Sequence, residues 1–284
     1  MTEIGKLNRL VVVKELDQGV YLDGDDLGEI LLPGRYVPRD CKPGSSIEVF
    51  IYRDSEDRIV ATTQMPFVMV GQFAALKVVD INSSGAFLEW GLDKDLLVPF
   101  REQKKKMEEG KSYVVFVYLD DKTNRIAASS KLDKFLDGQP ACFQQDQEVD
   151  LLVCEQTEIG YKAIINNTHW GMLYKNEVFG QLEPCRHIKG FIKKVRDDGK
   201  IDLSLQRPGY EKVDGVTGRI IHTLKEKRGF IPITDKSSPE IIYEMFGVSK
   251  KTYKKAIGAL YKKRIITLEE DGIRLNDETG LSYN

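Results

Sequence analysis

Residues 72–100 read QFAALKVVDINSSGAFLEWGLDKDLLVPF, and this stretch decides the fold. An apolar run breaks at Asn82-Ser83-Ser84, restarts on Gly85, breaks again between Gly91 and Asp95, and closes on Leu96-Leu97-Val98. Short runs rich in Val, Ile and Phe and bounded by Gly, Asp, Asn and Ser predict antiparallel strands. Helical periodicity is largely absent before residue 212.

The same order of features occurs three times. The first copy has NRLVVVKELD, GVYLDG, GEILLPG, SIEVFIYRD and RIVATT; the second continues from the stretch above with SYVVFVYLDD and RIAASS. The third has VDLLVCEQTE, GYKAIIN, HWGMLYKNEV, HIKGFIKKVRDD and KIDLSL. The closing strands begin at Arg58, Arg125 and Lys200, so the copies are spaced by 67 and 75 residues. Five strands in about 65 residues leave open edges unless the sheet curls shut, and a small five-stranded barrel is the usual answer.

After Arg207-Pro208-Gly209 the pattern turns helical. GVTGRIIHTLKEKRGFIPI (215–233) predicts a helix ending near Gly229 and a short strand. Ser238 is a good N-cap with Pro239 at the first helical position; Gly247 stops that helix and Ser249 caps the next. Tyr253, Ala256, Ile257 and Leu260 share one face of this last helix. IITLEEDGIRLN (265–276) predicts a hairpin turning at Asp271-Gly272. Helix, strand, helix, helix and hairpin is the layout of a winged helix.

The net charge of −2 conceals segregation. Residues 186–264 hold 20 Lys plus Arg against 9 Asp plus Glu, a local charge of +11 that leaves −13 for the rest. A polyanion would therefore find one end of the molecule, although a solvated basic face is the bland alternative. Lys250, Lys251, Lys254, Lys255, Lys262 and Lys263 crowd the last helix, and like charges at i and i+4 disfavour an isolated helix by about 0.2–0.5 kcal/mol per pair. That concentration favours a phosphate-facing role.

Other classes find little support. The longest apolar run, VVFVYL (114–119), is far short of the roughly 20 residues that span a bilayer, and the N-terminus lacks an apolar signal core; a cytoplasmic protein without membrane contact is expected. Cys41, Cys142, Cys154 and Cys185 form no Cys-x-x-Cys pair, so reduced structural thiols and no metal are expected; Cys185 with His187 is too few ligands. Gly110-Lys111-Ser112 imitates the end of a phosphate loop, but residue 105 is Lys where that loop needs Gly. His169, His187 and His222 stand apart without a nucleophile pattern, so neither catalytic residues nor a cofactor are expected.

The Gly-led second strand (GAFL, 85–88), the third strand ending in LLVPFRE (96–102), the glycine before the fourth strand (Gly44, Gly110) and the Asp-turn-Arg/Lys-Ile closing strand resemble the S1-type RNA-binding domain, an oligonucleotide-binding barrel. Three such copies ahead of DKSSPEIIYEMFGVSKKTYKKAIGALYKKRII (235–266) resemble the conserved virulence factor B family of bacteria. The resemblance implies a mainly β chain of three tandem barrels and a C-terminal α/β winged helix, placed at 1–65, 66–138, 146–207 and 211–278. It also implies an RNA-binding regulator of gene expression.

In S1-type domains, strands two and three present aromatics and a His on which bases stack. Carried over, the strand-two aromatic falls on Tyr21, Phe87 and, as a departure, Lys162; the His position falls near Pro33, on Pro99 and on Tyr174, so no copy keeps the His. The third copy keeps a ring and adds cations, so the candidate RNA-binding residues there are Lys162, Trp170, Tyr174, Lys175, Lys193, Lys194 and Arg196, joined by the six lysines of the last helix. Tyr21 and Phe87 are secondary candidates. Core packing stands as the alternative for Trp170 and, with less weight, for Tyr174.

The expectation is a non-enzymatic protein binding single-stranded RNA by stacking and backbone neutralisation. The rivals are a DNA-binding regulator using the winged helix and a protein-interaction scaffold. Few Arg, Asn or Gln on the last helix can read base edges. The oligomeric state is left open.

Overall fold

The computed structural model describes residues 1–175, 178, 182–205 and 214–276. The expected boundary at Arg207-Pro208-Gly209, and the domain ends placed at 207, 211 and 278, lie outside these residues.

The first unit comprises β1 (Leu7–Leu16), β2 (Gly19–Asp23), β3 (Glu29–Pro33), β4 (Ser46–Arg53) and β5 (Ile59–Thr62). The second comprises β6 (Phe73–Asn82), β7 (Gly85–Glu89), β8 (Leu96–Pro99), β9 (Ser112–Leu119) and β10 (Ile126–Ser129). The third comprises β11 (Glu148–Gln156), β12 (Gly160–Ile165), β13 (His169–Tyr174), β14 (His187–Val195) and β15 (Ile201–Ser204). The first and third are closed barrels of identical strand order, β1-β2-β3-β5-β4 and β11-β12-β13-β15-β14.

The repeat holds at the level of single residues. Each first strand shifts register at the same place, after Val12, Val78 and Val153, which bends it around the barrel. Each second strand opens on a glycine paired with the end of the third: Gly19 with Pro33, Gly85 with Pro99, Gly160 with Tyr174. A Cβ on these glycines would lie 2.1, 2.2 and 2.0 Å from the carbonyl oxygens of Leu32, Val98 and Leu173. Close backbone approach, therefore, is what makes the second strand begin with Gly. Alternate residues point inward, and Leu22, Leu88 and Ala163 are fully buried in their cores; each leucine-sized side chain so buried contributes roughly 1.5–3 kcal/mol.

The second unit departs slightly from full closure. Its order is β10-β9-β6-β7-β8, and β8 and β10 lie together without a ladder. Ser130 N–H and Ser129 Oγ instead donate to the Glu102 carbonyl in the turn after β8, at 2.9 and 3.3 Å.

The units are joined by packing. Phe50 of the first meets Trp90 of the second edge-on at 5.7 Å, within one continuous core. Around it Lys94 Nζ donates to the Asp54 carbonyl at 2.7 Å, and Tyr36 Oη donates to Asp93 at 2.7 Å. Between the second and third units, Phe73, Val114, Leu132 and Leu136 pack against Leu152, Ile164 and Trp170.

The C-terminal unit runs α1 (Asp214–Glu226), β16 (Phe230–Ile231), α2 (Pro239–Phe246), α3 (Lys250–Lys262), β17 (Ile266–Leu268) and β18 (Ile273–Leu275), the winged-helix order. Ser238 caps α2 by accepting from Ile241 N–H, Gly247 ends it at φ 62°, and Ser249 caps α3 by accepting from Thr252 N–H. Tyr253, Ala256, Ile257 and Leu260 all enter the core as expected. The hairpin differs: Leu268 pairs with Ile273, so the loop spans 269–272. Gly272 is needed there because a Cβ would lie 2.4 Å from the Ile231 carbonyl oxygen.

Candidate nucleic-acid interface

On β13, Gly171 and Leu173 point into the third barrel while Trp170, Met172 and Tyr174 point outward. Lys162 stands opposite Met172 on β12, so the outer face carries Lys162, Trp170, Met172 and Tyr174 together. Period-two alternation places them there.

Tyr174 sits at one end of this face. Its hydroxyl accepts from Arg196 Nη2, and the guanidinium lies 5.8 Å from the ring centre. Arg196 is held by the Asp202 carboxylate, which accepts from Nε at 3.1 Å and lies 2.9 Å from Nη2. The pairing raises Arg196 further above its ordinary range. Arg196 thus orients the tyrosine while its charge is largely answered. Lys175 and Lys194 are exposed and have no ion-pair partner among the described residues; Lys193 is exposed too.

Trp170 sits at the other end, in the joint with the second barrel. Its ring packs with Leu132, Leu136 and Ile164, and its backbone N–H donates to Asp137 Oδ1 at 3.0 Å. The outer face of the ring is covered by Lys162, whose Nζ lies 3.7 Å from the ring centre and 3.1 Å from Asp133 Oδ1. The hydrogen bond from Lys162 holds the Asp133 carboxyl below the ordinary range. Trp170 Nε1 is buried with no hydrogen-bond partner among the described residues. The structure therefore separates the two rings: Tyr174 faces outward beside cations, whereas Trp170 and Lys162 are engaged between barrels. Lys104 and Glu155 bridge the same joint at 3.1 Å.

Tyr21 and Phe87 occupy the position of Lys162 in their own barrels, half-buried and outward, opposite Leu31 and Leu97. Tyr21 lies under Lys14, 5.0 Å from the ring centre, and that lysine pairs with Glu29.

In the winged helix, Lys250 Nζ donates to the Lys236 carbonyl at 3.1 Å and Lys254 pairs with Asp235 at 3.2 Å. Lys251, Lys255, Lys262 and Lys263 are exposed and have no ion-pair partner among the described residues. Sequence reasoning missed Tyr261 and Gly258 on this helix; plotting α3 on a wheel finds both beside the lysines. It also missed the joint residues Asp133 and Asp137, for which the repeat holds no signal.

Of the histidines and cysteines, His187, His222 and Cys142 are exposed, whereas His169 and Cys154 are packed. His169 is buried, bonded to Thr168 Oγ1 at 2.9 Å and to the Gln139 carbonyl at 2.8 Å. Burial pushes the Cys154 thiol up to about 12. Cys185 takes the left-handed position, φ 70°, that Gly44 and Gly110 hold in the other copies, and each of the three donates its N–H to the residue before the bulge. Among the described residues no group of three His, Cys, Asp or Glu side chains could hold a metal. Nor is any described helix long and apolar enough to cross a membrane.

The domain types agree with this architecture. A model of the S1 domain matches residues 4–64 and 70–130, and a model of the CvfB-like winged helix domain matches residues 218–275. The first two barrels match the former model and the C-terminal unit the latter; strand order and register make the third barrel a further copy of the same fold. Together they define a protein of the nucleic-acid-binding class, and no enzyme family is indicated.

Along most of its length the chain is similar to conserved virulence factor B of Staphylococcus saprophyticus, at 26% identity over 244 residues that cover 83% of this chain and 81% of the relative. It is likewise 26% identical to protein YitL of Bacillus subtilis over 273 residues, 91% and 89% of the two chains. The resemblance to the conserved virulence factor B family is thereby borne out. Among solved structures, a multidomain protein with nucleic acid binding domains from Streptococcus pneumoniae matches at 22% identity and a TM-score of 0.42, covering 96% of this chain and 98% of that one.

Proposed function

We propose that this chain is a non-enzymatic protein that binds single-stranded RNA and regulates gene expression through it, with its contacts concentrated on the third barrel and the winged helix. The observation that carries the reading is the set of exposed lysines without acidic partners among the described residues at this end of the chain: Lys175 and Lys194 beside the Tyr174 ring, Lys251, Lys255 and Lys262 on α3, and Lys263 at its C-cap. Unanswered cations next to an outward ring are what a flexible strand needs, since phosphates are neutralised and bases stack at about 1–3 kcal/mol each. The low content of base-reading side chains on α3 favours backbone contact over duplex sequence recognition. The regulatory role is what the resemblance to the conserved virulence factor B family implies.

Fluorescence anisotropy with matched single-stranded RNA, single-stranded DNA and duplex DNA at two salt concentrations tests the proposal. The full chain is the right sample, because cutting ahead of the third barrel would expose Ile164 and Trp170. A salt-sensitive preference for single-stranded RNA is expected. Tightest binding to duplex DNA would replace this reading with a DNA regulator, and no binding to any of the three would leave a protein scaffold.

A further inference from the structure

Gly258 is the ninth residue of the thirteen-residue α3. A glycine inside a helix is destabilising relative to alanine, because it frees the unfolded chain and buries nothing. Helices keep such a residue when a neighbour packs too closely for a Cβ, or when the backbone needs a positive φ. Neither holds here: a Cβ at 258 would meet nothing within 4 Å beyond the helix's own local backbone, and Gly258 is not among the positive-φ glycines.

Its position around the helix is informative. At 100° per residue, Lys251, Lys255, Gly258 and Lys262 fall within about 60° of one another, with Gly258 at the edge of the lysine stripe that faces Tyr261. The three lysines are exposed and have no ion-pair partner among the described residues. Tyr261 flanks the same face and is 54% exposed. The face therefore has a notch of bare helix backbone at Gly258, bordered on one side by the lysine stripe and on the other by the exposed Tyr261 ring.

We propose that α3 seats a phosphodiester of a single-stranded nucleic acid directly over Gly258, with Lys255 and Lys262 beside that phosphate, Lys251 about 10 Å along the helix at a neighbouring phosphate, and Tyr261 stacked on the adjoining base. This rests on the reading of the chain as a single-strand binder and adds the place and manner of contact. Without a side chain at 258, the strand approaches the helix axis closely enough for all three lysines to reach one backbone segment. The exposed tyrosine supplies the stacking surface that an unpaired base can use and a paired one cannot.

The test uses the full chain and a fluorescein-labelled mixed-sequence single-stranded RNA, read by anisotropy, with thermal unfolding as the second readout. Gly258→Ala should unfold at a higher temperature than the parent yet bind more weakly, and Gly258→Leu should bind at least about fivefold more weakly. Tyr261→Ala should lose at least about fivefold on single strands and markedly less on duplex DNA. Gly218→Ala, at a similarly open glycine in α1, is the control: stabilised, with binding unchanged.

If Gly258→Leu and Tyr261→Ala bind as the parent does while the K251E/K255E double variant loses binding, the notch is refuted and the broader function stands. If the double variant also binds normally, α3 is not a contact surface and both fall. Equal loss on duplex DNA for Tyr261→Ala would refute the stacking role.

Discussion

The ammonium of Lys162 lies 3.7 Å from the centre of the Trp170 ring, across the neighbouring strands β12 and β13. The contact closes the outer face of a ring whose other surroundings are apolar residues of two barrels. Trp170→Ala should therefore destabilise the joint by about 2–4 kcal/mol, measured by urea unfolding. Trp170→Phe should stay within about 1.5 kcal/mol of the parent, because the indole N–H makes no hydrogen bond of good geometry and at most a weak one to the Asp133 carboxylate, the smallest of the contacts that hold that carboxyl down. A large loss with Phe would mean that Nε1 has a partner in solution.

Tyr174 is the complementary case. Tyr174→Phe removes the hydroxyl that accepts from Arg196 but keeps the ring. Affinity for single-stranded RNA should hold within about twofold for Phe and fall at least about fivefold for Ala, as expected when the ring face is what a base uses. Matched losses for the two variants would place the importance in the hydroxyl and its arginine.

The lysines of α3 act through counterion release. Replacing Lys251 and Lys255 by Ala should make the slope of log affinity against log salt shallower by about 1.4, roughly 0.7 for each phosphate of a single strand that is no longer neutralised. Titrations at several salt concentrations give the slope directly; an unchanged slope would remove these residues from the interface.

Gly160 tests the barrel itself. A Cβ would lie 2.0 Å from the Leu173 carbonyl oxygen and 2.8 Å from the Tyr174 Cα, both backbone atoms that have no rotamer to yield. Gly160→Ala should cost about 3 kcal/mol or more, seen as a lowered unfolding temperature. Gly199→Ala, whose Cβ meets nothing but whose φ is 79°, should cost less, about 1 kcal/mol.

Acid should loosen the first joint. A hydrogen bond from Arg125 holds Asp57 below the ordinary carboxylate range, and one from Tyr36, then Gln64, does the same for Asp93. Both contacts cross between the first two barrels. A lowered folded pKa gives stability that is present above the unfolded value of about 4 and is lost as pH falls through the folded value. Unfolding temperature should thus drop below about pH 4, and the D57N/D93N double variant should show a flatter acid limb.

The repeat was legible because its rules are local. Gly19, Gly85 and Gly160 are required by contacts with strands close in sequence, and apolar alternation reports which residues face in. The caps at Ser238 and Ser249 are equally local. The joints were not legible, since the barrel pattern specifies an inside and an outside but not which part of the outside is covered. Trp170 and Tyr174 look alike in that pattern, four residues apart on the same face. Only the packing of Leu132 and Leu136 from the preceding unit distinguishes them. The left-handed turn at Cys185 was hidden for another reason: the glycine that marks it in two copies is absent from the third.

Phe50 and Trp90 meet inside one core that spans two barrels. Tandem copies usually drift apart because each can absorb its own substitutions. These two cannot do so independently: a smaller ring at 90 leaves a void that residue 50 must fill, and a bulkier ring at 50 is refused by Trp90 from the other copy. Positions 50 and 90 should therefore behave as one unit, changing together or not at all, as no pair of residues confined to separate barrels must.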